Sequence, residues 1–172
     1  MDVIEAIRTR RTHKLYEPVP LTRQEIDGLL EVARWAPNHH LTNPWRFRVL
    51  GPESLARLKA AADARKPGSS RKLERAPTRI VVTAIQGADE RQAEEDRLAT
   101  GAAIYAVLLA AHARGLAGFW STPEVIHAAE GRAALGLPAD ERAVGLLHLG
   151  HASHEVPPRE RTSLADVVTY LD

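Results

Sequence analysis

From Glu90 to Arg114 the chain runs without a proline through an Ala- and Leu-rich stretch in which Leu98, Ala102, Tyr105, Leu108, Leu109 and His112 recur at helical intervals. This spacing predicts a long central helix, against which the remaining elements must pack. Before it stands Arg79-Ile80-Val81-Val82-Thr83-Ala84-Ile85, short, β-branched and preceded by Pro77, which reads as a buried strand. After it, Gly115 is placed to cap the helix, and Leu116-Ala117-Gly118-Phe119-Trp120 reads as a short strand. Gly101 and the alanines would let a second helix approach closely, and a close-packed internal core accounts for them equally well.

The other elements are set by caps and breakers. Thr22, three residues before Glu25, forms a capping-box pattern, and Ile26, Leu29, Leu30, Ala33 and Ala36 keep helical spacing as far as Pro37, where the missing N–H and the ring are expected to stop the helix. A polar turn comes next, then Trp45, Phe47 and Val49 alternate with Arg46 and Arg48 as in a half-buried strand. Pro52 suits the first turn of a helix carrying Leu55, Leu58 and Ala62, which Lys66-Pro67-Gly68-Ser69-Ser70 ends. Pro123 is expected to open a helix through Val125 and Ile126 toward Leu135, and Ala143 to Leu149 reads as the last core strand. The expected whole is one α+β domain over residues 1–172, a sheet flanked by helices. Its tail, from about 150 to 172, is an arm that must dock on something, with Leu164, Val167 and Val168 as its apolar anchor.

Composition removes several classes of function. With 23 Lys and Arg against 22 Asp and Glu the formal charge is +1, so there is no net field to hold nucleic acid or an anionic membrane, and neither is expected as a partner. The absence of cysteine removes disulfides, thiolate metal sites and thiol nucleophiles, so redox chemistry would have to be borrowed from a cofactor. No stretch approaches the roughly 18 to 20 apolar residues of a membrane span, and the amino terminus lacks the apolar core of a secretory signal, which makes a cytoplasmic location the expectation.

Near the start lies a basic knot of Arg8, Arg10, Arg11, Thr12, His13 and Lys14, behind an apolar turn containing Val3, Ile4, Ala6 and Ile7. Four permanent cations in seven residues repel one another unless an anion neutralises them, and the Thr12 hydroxyl supplies a hydrogen bond of the kind phosphates accept. The knot therefore reads as half of a phosphate site, with a solvated helix end as the competing explanation, since cations suit the negative pole of a helix. The phosphate loop, the strand-bound G-x-G-x-x-G and the G-x-S-x-G elbow are all missing. His148, His151 and His154 are spaced three apart, but on a strand running into a loop they do not converge, and no metal site is expected. Trp45 and Trp120 read as core aromatics, and Ser121 and Thr122 also suit a cap for the helix at Pro123.

Four spaced motifs together resemble the FMN-dependent nitroreductases. Arg10-Arg11-Thr12-His13-Lys14 matches a basic R-[RH]-[ST]-x-[RK] run, and Pro37-Asn38-His39-His40-Leu41-Thr42-Asn43-Pro44-Trp45 matches P-[SDN]-x-x-x-x-[QN]-P-W. Gly115-Leu116-Ala117-Gly118-Phe119-Trp120 matches G-L-x-G-x-W, and Arg161-Thr162-Ser163-Leu164-Ala165-Asp166-Val167-Val168 matches R-x-x-L-x-[ED]-V-V. The resemblance covers essentially the whole chain and is closest to the short members. It implies a nitroreductase-like α+β fold with a central mixed or antiparallel sheet, and a homodimer that exchanges its C-terminal arms and holds flavin at the interface.

The same resemblance implies roles for individual residues. Arg10, Thr12 and Arg161 would hold the FMN phosphate and ribityl chain, with Arg11 helping and Arg159 in a lesser part, while Lys14 would face the pyrimidine edge of the ring. Pro37, Asn38, His39 and Leu41 would wall the ring from the neighbouring subunit, and Trp120, Ser121 and Thr122 would line it near N5 and O4. The segment Ser69 to Arg75 is compressed relative to longer members, leaving Arg71 and Lys72 both open as flavin contacts. The implied activity transfers a hydride from NAD(P)H, a transient donor, through flavin N5 to an electron-poor small molecule such as a nitroaromatic or quinone, with no catalytic side chain required. The rival readings are a noncatalytic flavin-binding or regulatory module and a dehalogenating or flavin-fragmenting enzyme on the same scaffold.

Overall fold

The computed structural model describes residues 1–171. Four strands, β1 (Trp45–Val49), β2 (Thr78–Ile85), β3 (Ala117–Ser121) and β4 (Glu141–Gly150), form one sheet in the order β1-β2-β4-β3, and every pairing between them is antiparallel. The helices are α1 (Val3–Thr9), α2 (Arg23–Ala33), α3 (Pro52–Arg65), α4 (Glu90–Ala113) and α5 (Ala129–Leu135).

Alternation along the central strands divides the core in two. On one face Ile80, Val82, Leu147 and Leu149 pack with Ile26 and Leu29 of α2 and Ile104 and Val107 of α4. On the other, Val81 and Leu146 pack with Leu58 and Ala62 of α3, Leu73 and Ile126. A partly buried, hydrogen-bonded ion pair crosses three strands: Arg48 on β1 reaches Glu141 on β4 at 2.6 and 2.8 Å, and Thr83 on β2 also bonds that carboxylate. Among the described residues no helix is long and apolar enough to cross a membrane.

Several sequence signals act where expected. Thr22 and Glu25 form a complete capping box, and Pro52 opens α3. At the end of α4, Gly115 adopts φ 75° while its N–H reaches the His112 carbonyl and the Leu116 N–H reaches that of Ala111, the paired bonds of a Schellman ending.

Other expectations are corrected. Helix α2 ends at Ala33, and three tighter turns carry the chain from Arg34 to Ala36, because the residue before a proline is pushed out of helical geometry. The helix expected from Pro123 to Leu135 is two pieces, a single 3-10 turn (Glu124–Ile126) and α5, divided where Ala128 is extended at ψ 153°. The chain folds back so closely there that a Cβ on Gly131 would lie 1.8 Å from the Val125 carbonyl oxygen. On α4 the inward face is Ala99, Ala103, Ile104, Val107 and Ala111, joined by Leu108 alone of the residues used to recognise the helix; Leu98 and Tyr105 are exposed. From Leu98 onward that helix is apolar on nearly every side, so its period is legible and its buried face is not. Trp45 is a core residue, but Trp120 is 36% exposed.

Candidate functional site

The backbone after α1 positions the basic knot. Asp2 caps the start of that helix, Arg10 ends it with extended geometry, and the chain then runs beside β3, where Thr12 bridges Gly118 in parallel and the His13 N–H reaches the Gly118 carbonyl at 3.3 Å. Tyr16 fixes the register: its hydroxyl lies 2.9 Å from the His13 carbonyl and 3.3 Å from that of His148. Burial holds that phenol in its protonated form, with its pKa raised well above the ordinary value. Tyr16 also bridges Ala152, and the Glu17 N–H reaches the His151 carbonyl at 3.0 Å. Both ends of the chain are thereby stitched side by side, and the tail leaves from beside the knot.

The consequence is a cavity of about 380 Å³ whose wall includes Arg10, Arg11, Thr12, Lys14, Arg159 and Arg161, with Phe119 and Val156 as its apolar part. Among the described residues none of these five cations forms a salt bridge and no carboxylate lines the cavity. Arg11 has a further duty, since its Nη1 caps the carbonyls of Arg8 at 2.7 Å and Arg10 at 3.0 Å. The Arg10 Nε is buried without a partner among the described residues. Nearby, His112, bonded to Thr9 Oγ1 at 2.7 Å, has its pKa lowered by burial and then by Arg10 and Arg11. His13 is lowered by burial and then by His154, His112 and Arg10. The surroundings favour a negative ligand over a further proton.

A second cavity, of about 350 Å³, lies on the α3 side of the sheet and is walled by Ser69, Lys72, Arg75, Ser121 and Thr122 among others. Of the two residues left open by the sequence, Lys72 lines it and Arg71 does not. Phe119 and Arg75 connect the two cavities: the Arg75 guanidinium stands 5.4 Å over the Phe119 ring, whose other neighbour is the His148 imidazole, stacked at 5.4 Å. Ser121 Oγ lies 3.0 Å from His148 Nε2. Trp120 projects to the opposite face of the sheet, as strand alternation requires, with its Nε1 directed at the Val144 carbonyl.

Pro37, Asn38 and His39 line a shallow cavity against Leu98, Ala99 and Ala102 of α4, separate from both others. Their loop is tightly braced. His39 Nδ1 is 2.7 Å from Glu95, Thr42 donates to Asp96 at 2.6 Å, and Asn38 Oδ1 accepts from the Asn43 N–H at 2.8 Å. His40, Leu41 and Asn43 all have φ near +50°, a costly geometry that leaves Leu41 76% exposed. Within one chain these residues do not meet the arginines.

Sequence reasoning missed Phe119, Val156 and His148 as parts of this region. Strand alternation carried a usable signal for the first and third, since Phe119 and Ser121 share a face opposite Trp120 and meet His148 across the β3–β4 pair. For Val156, in the irregular tail, there was none.

The nitroreductase family model matches residues 7–151. YdjA of Escherichia coli K12, provisionally named an NAD(P)H nitroreductase, is 30% identical over 162 residues, 87% of this chain and 88% of that one. A provisionally assigned nitroreductase from Desulfovibrio desulfuricans, solved in complex with FMN, is 28% identical with a TM-score of 0.82, covering 100% of this chain and 98% of that one. A nitroreductase-like family protein from Bacillus cereus shares the fold at 24% identity with a TM-score of 0.90, covering 100% and 97%. By sequence and by fold, this chain belongs to the nitroreductase family of oxidoreductases.

Proposed function

We propose that the chain is an FMN-dependent oxidoreductase of the cytoplasm that works as a homodimer, moving a hydride from NAD(P)H to an electron-poor small molecule such as a nitroaromatic or quinone. The observation that carries this reading is the convergence of Arg10, Arg11, Lys14, Arg159 and Arg161, from both ends of the chain, on one cavity with no carboxylate in its wall among the described residues. A phosphate monoester fits that donor set: it brings the missing negative charge, and its oxygens accept from the guanidinium groups, including the unpartnered Arg10 Nε, and from the Thr12 hydroxyl.

FMN, when bound, supplies a carrier for two electrons and accepts hydride at N5. Arg10, Thr12 and Arg161 hold its phosphate, with Arg11 and Arg159 completing the positive shell. Lys14 favours negative charge at the pyrimidine edge, and Lys72, Ser121 and Thr122 flank the ring in the adjoining cavity. The second subunit supplies Pro37, Asn38, His39 and Leu41 as the opposite wall. The exposed apolar surface supports such a partner: Leu98 and Tyr105 on α4, Val3, Ile4 and Ile7 on α1, and Leu164, Val167, Tyr170 and Leu171 in the arm all lie open to solvent.

Arg10→Ala tests the phosphate assignment. The variant should purify as a folded dimer with FMN lost, whereas stoichiometric flavin retention removes the assignment. Anaerobic mixing of the parent protein with NADH and NADPH tests the activity, flavin bleaching being the expected result and inert bound flavin the contrary one.

A further inference from the structure

His148 is fully buried and has no part in the function proposed above. Its place on β4 is fixed by Phe119, which stacks on the imidazole at 5.4 Å beneath the Arg75 guanidinium, and by the Tyr16 hydroxyl, 3.3 Å from its carbonyl. Burial first, then Arg75 and Arg79, oppose its protonation, so at neutral pH the ring carries a single proton. Nδ1 is buried with no partner among the described residues, whereas Nε2 lies 3.0 Å from Ser121 Oγ. A proton on Nδ1 would leave a buried N–H unpaired, which costs more than a bare ring lone pair. The proton therefore sits on Nε2 and is donated to Ser121.

The hydroxyl of Ser121 is thereby used up on two of its three sides. Its own proton has a destination in the carbonyl of Leu146, its partner across the β3–β4 pair, at 3.3 Å, and one of its two lone pairs is taken by His148. What remains is one lone pair on a partly exposed residue in the wall of the Lys72 cavity. A serine that could elsewhere turn to donate is here able only to accept, beside Lys66, Lys72 and Arg75, which can only donate. We propose that His148 is a positioning residue that fixes Ser121 as an acceptor-only group, so that this wall selects a guest with an N–H directed at it, the reduced flavin ring over the oxidised one. Hydride uptake converts the bare N5 into an N–H, and an acceptor in the wall favours the form that has it. The choice of guest rests on the proposed flavin; the polarity of Ser121 does not.

Two measurements test it. Long-range proton–nitrogen NMR of the imidazoles, with His148→Gln identifying the signal, should show His148 protonated on Nε2 at pH 7; a proton on Nδ1 overturns the inference. In the flavin-loaded protein, Ser121→Ala and His148→Leu should each lose roughly 10-fold of the preference for reduced over oxidised FMN, read as a midpoint potential lower by about 30 mV for the two-electron couple. The double variant should fall no further than Ser121→Ala alone, since His148 acts through that hydroxyl, and His148→Gln, whose amide can still donate, should recover most of the loss. A potential unmoved or raised in Ser121→Ala overturns the inference, whether or not His148→Leu folds. A protein that takes up no FMN overturns instead the flavin reading, and the imidazole spectrum still decides the polarity of Ser121.

Discussion

The imidazole of His148 is fully buried on the face of the sheet opposite α4, with its Nε2 3.0 Å from the hydroxyl oxygen of Ser121. Ser121 in turn lies 3.3 Å from the Leu146 carbonyl, and His148 Nδ1 has no partner. The tautomer that leaves no buried N–H unpaired carries its proton on Nε2, donating to Ser121, whose hydroxyl donates to Leu146. Burial, with Arg75 and Arg79 nearby, lowers the His148 pKa to about 4.

That depression makes the fold acid-sensitive in a defined window. Between the ordinary histidine pKa of about 6.5 and the folded value of about 4, the unfolded chain binds the proton and the folded chain does not. Stability is therefore complete above about pH 6.5 and declines as pH falls toward 4, by up to about 3 kcal/mol. His13 and His112, also lowered, add to the same slope. Urea denaturation at pH 7 and at pH 4.5 should show the loss in the parent and a smaller one in His148→Gln; equal losses in both contradict the assignment.

Glu141 governs a lower range. Its hydrogen bond to Arg48 first, and that to Thr83 besides, hold its carboxyl below the usual range, so its contribution is present above about pH 4.5 and is lost on further acidification. Glu141→Leu leaves Arg48 without its anion and should cost about 2 to 4 kcal/mol at pH 7. A Glu141→Leu/Arg48→Met double variant should recover part of that loss in the same urea titration.

Gly131 is required by contact. Gly131→Ala drives a methyl group into the Val125 carbonyl, a backbone atom that cannot step aside, and should destabilise the protein by about 2 kcal/mol or more. Thermal unfolding measures it, and an unchanged Tm shows that the turn before α5 relaxes freely.

Leu98 and Tyr105 are exposed on α4 in the face assigned to the second subunit. Charges there should be tolerated by the isolated fold and not by the dimer. Leu98→Glu/Tyr105→Glu should sediment as a folded monomer that holds FMN poorly; an intact dimer places the interface elsewhere.

The tail arginines separate binding from folding. Arg161→Ala and Arg159→Ala remove exposed cations with no salt-bridge partner among the described residues, so Tm should stay within about a degree while FMN affinity falls, roughly 10-fold or more for Arg161. Apoprotein titrated with FMN, monitored by flavin fluorescence, reads the difference, and an unaltered affinity removes the tail from the site.

Sequence alone determined the strands, the caps at Thr22 and Gly115, the long helix and the four family motifs, because each rests on a local rule: a period, a cap or a proline. It also supplied the knot and the tail arginines as separate clusters of charge. That they meet was decided in three dimensions, by the strand-like passage of Thr12 beside Gly118 and the bonds of Tyr16 and Glu17 to the start of the tail. Tertiary packing likewise chose which side of α4 to bury, broke the helix before Ala129 and stacked Phe119 on His148 with Trp120 turned the other way. The physical reason is common to all of these: a residue's propensity is set by its neighbours along the chain, whereas a binding site is made by residues that only the packing of the sheet and its helices brings within reach of one another.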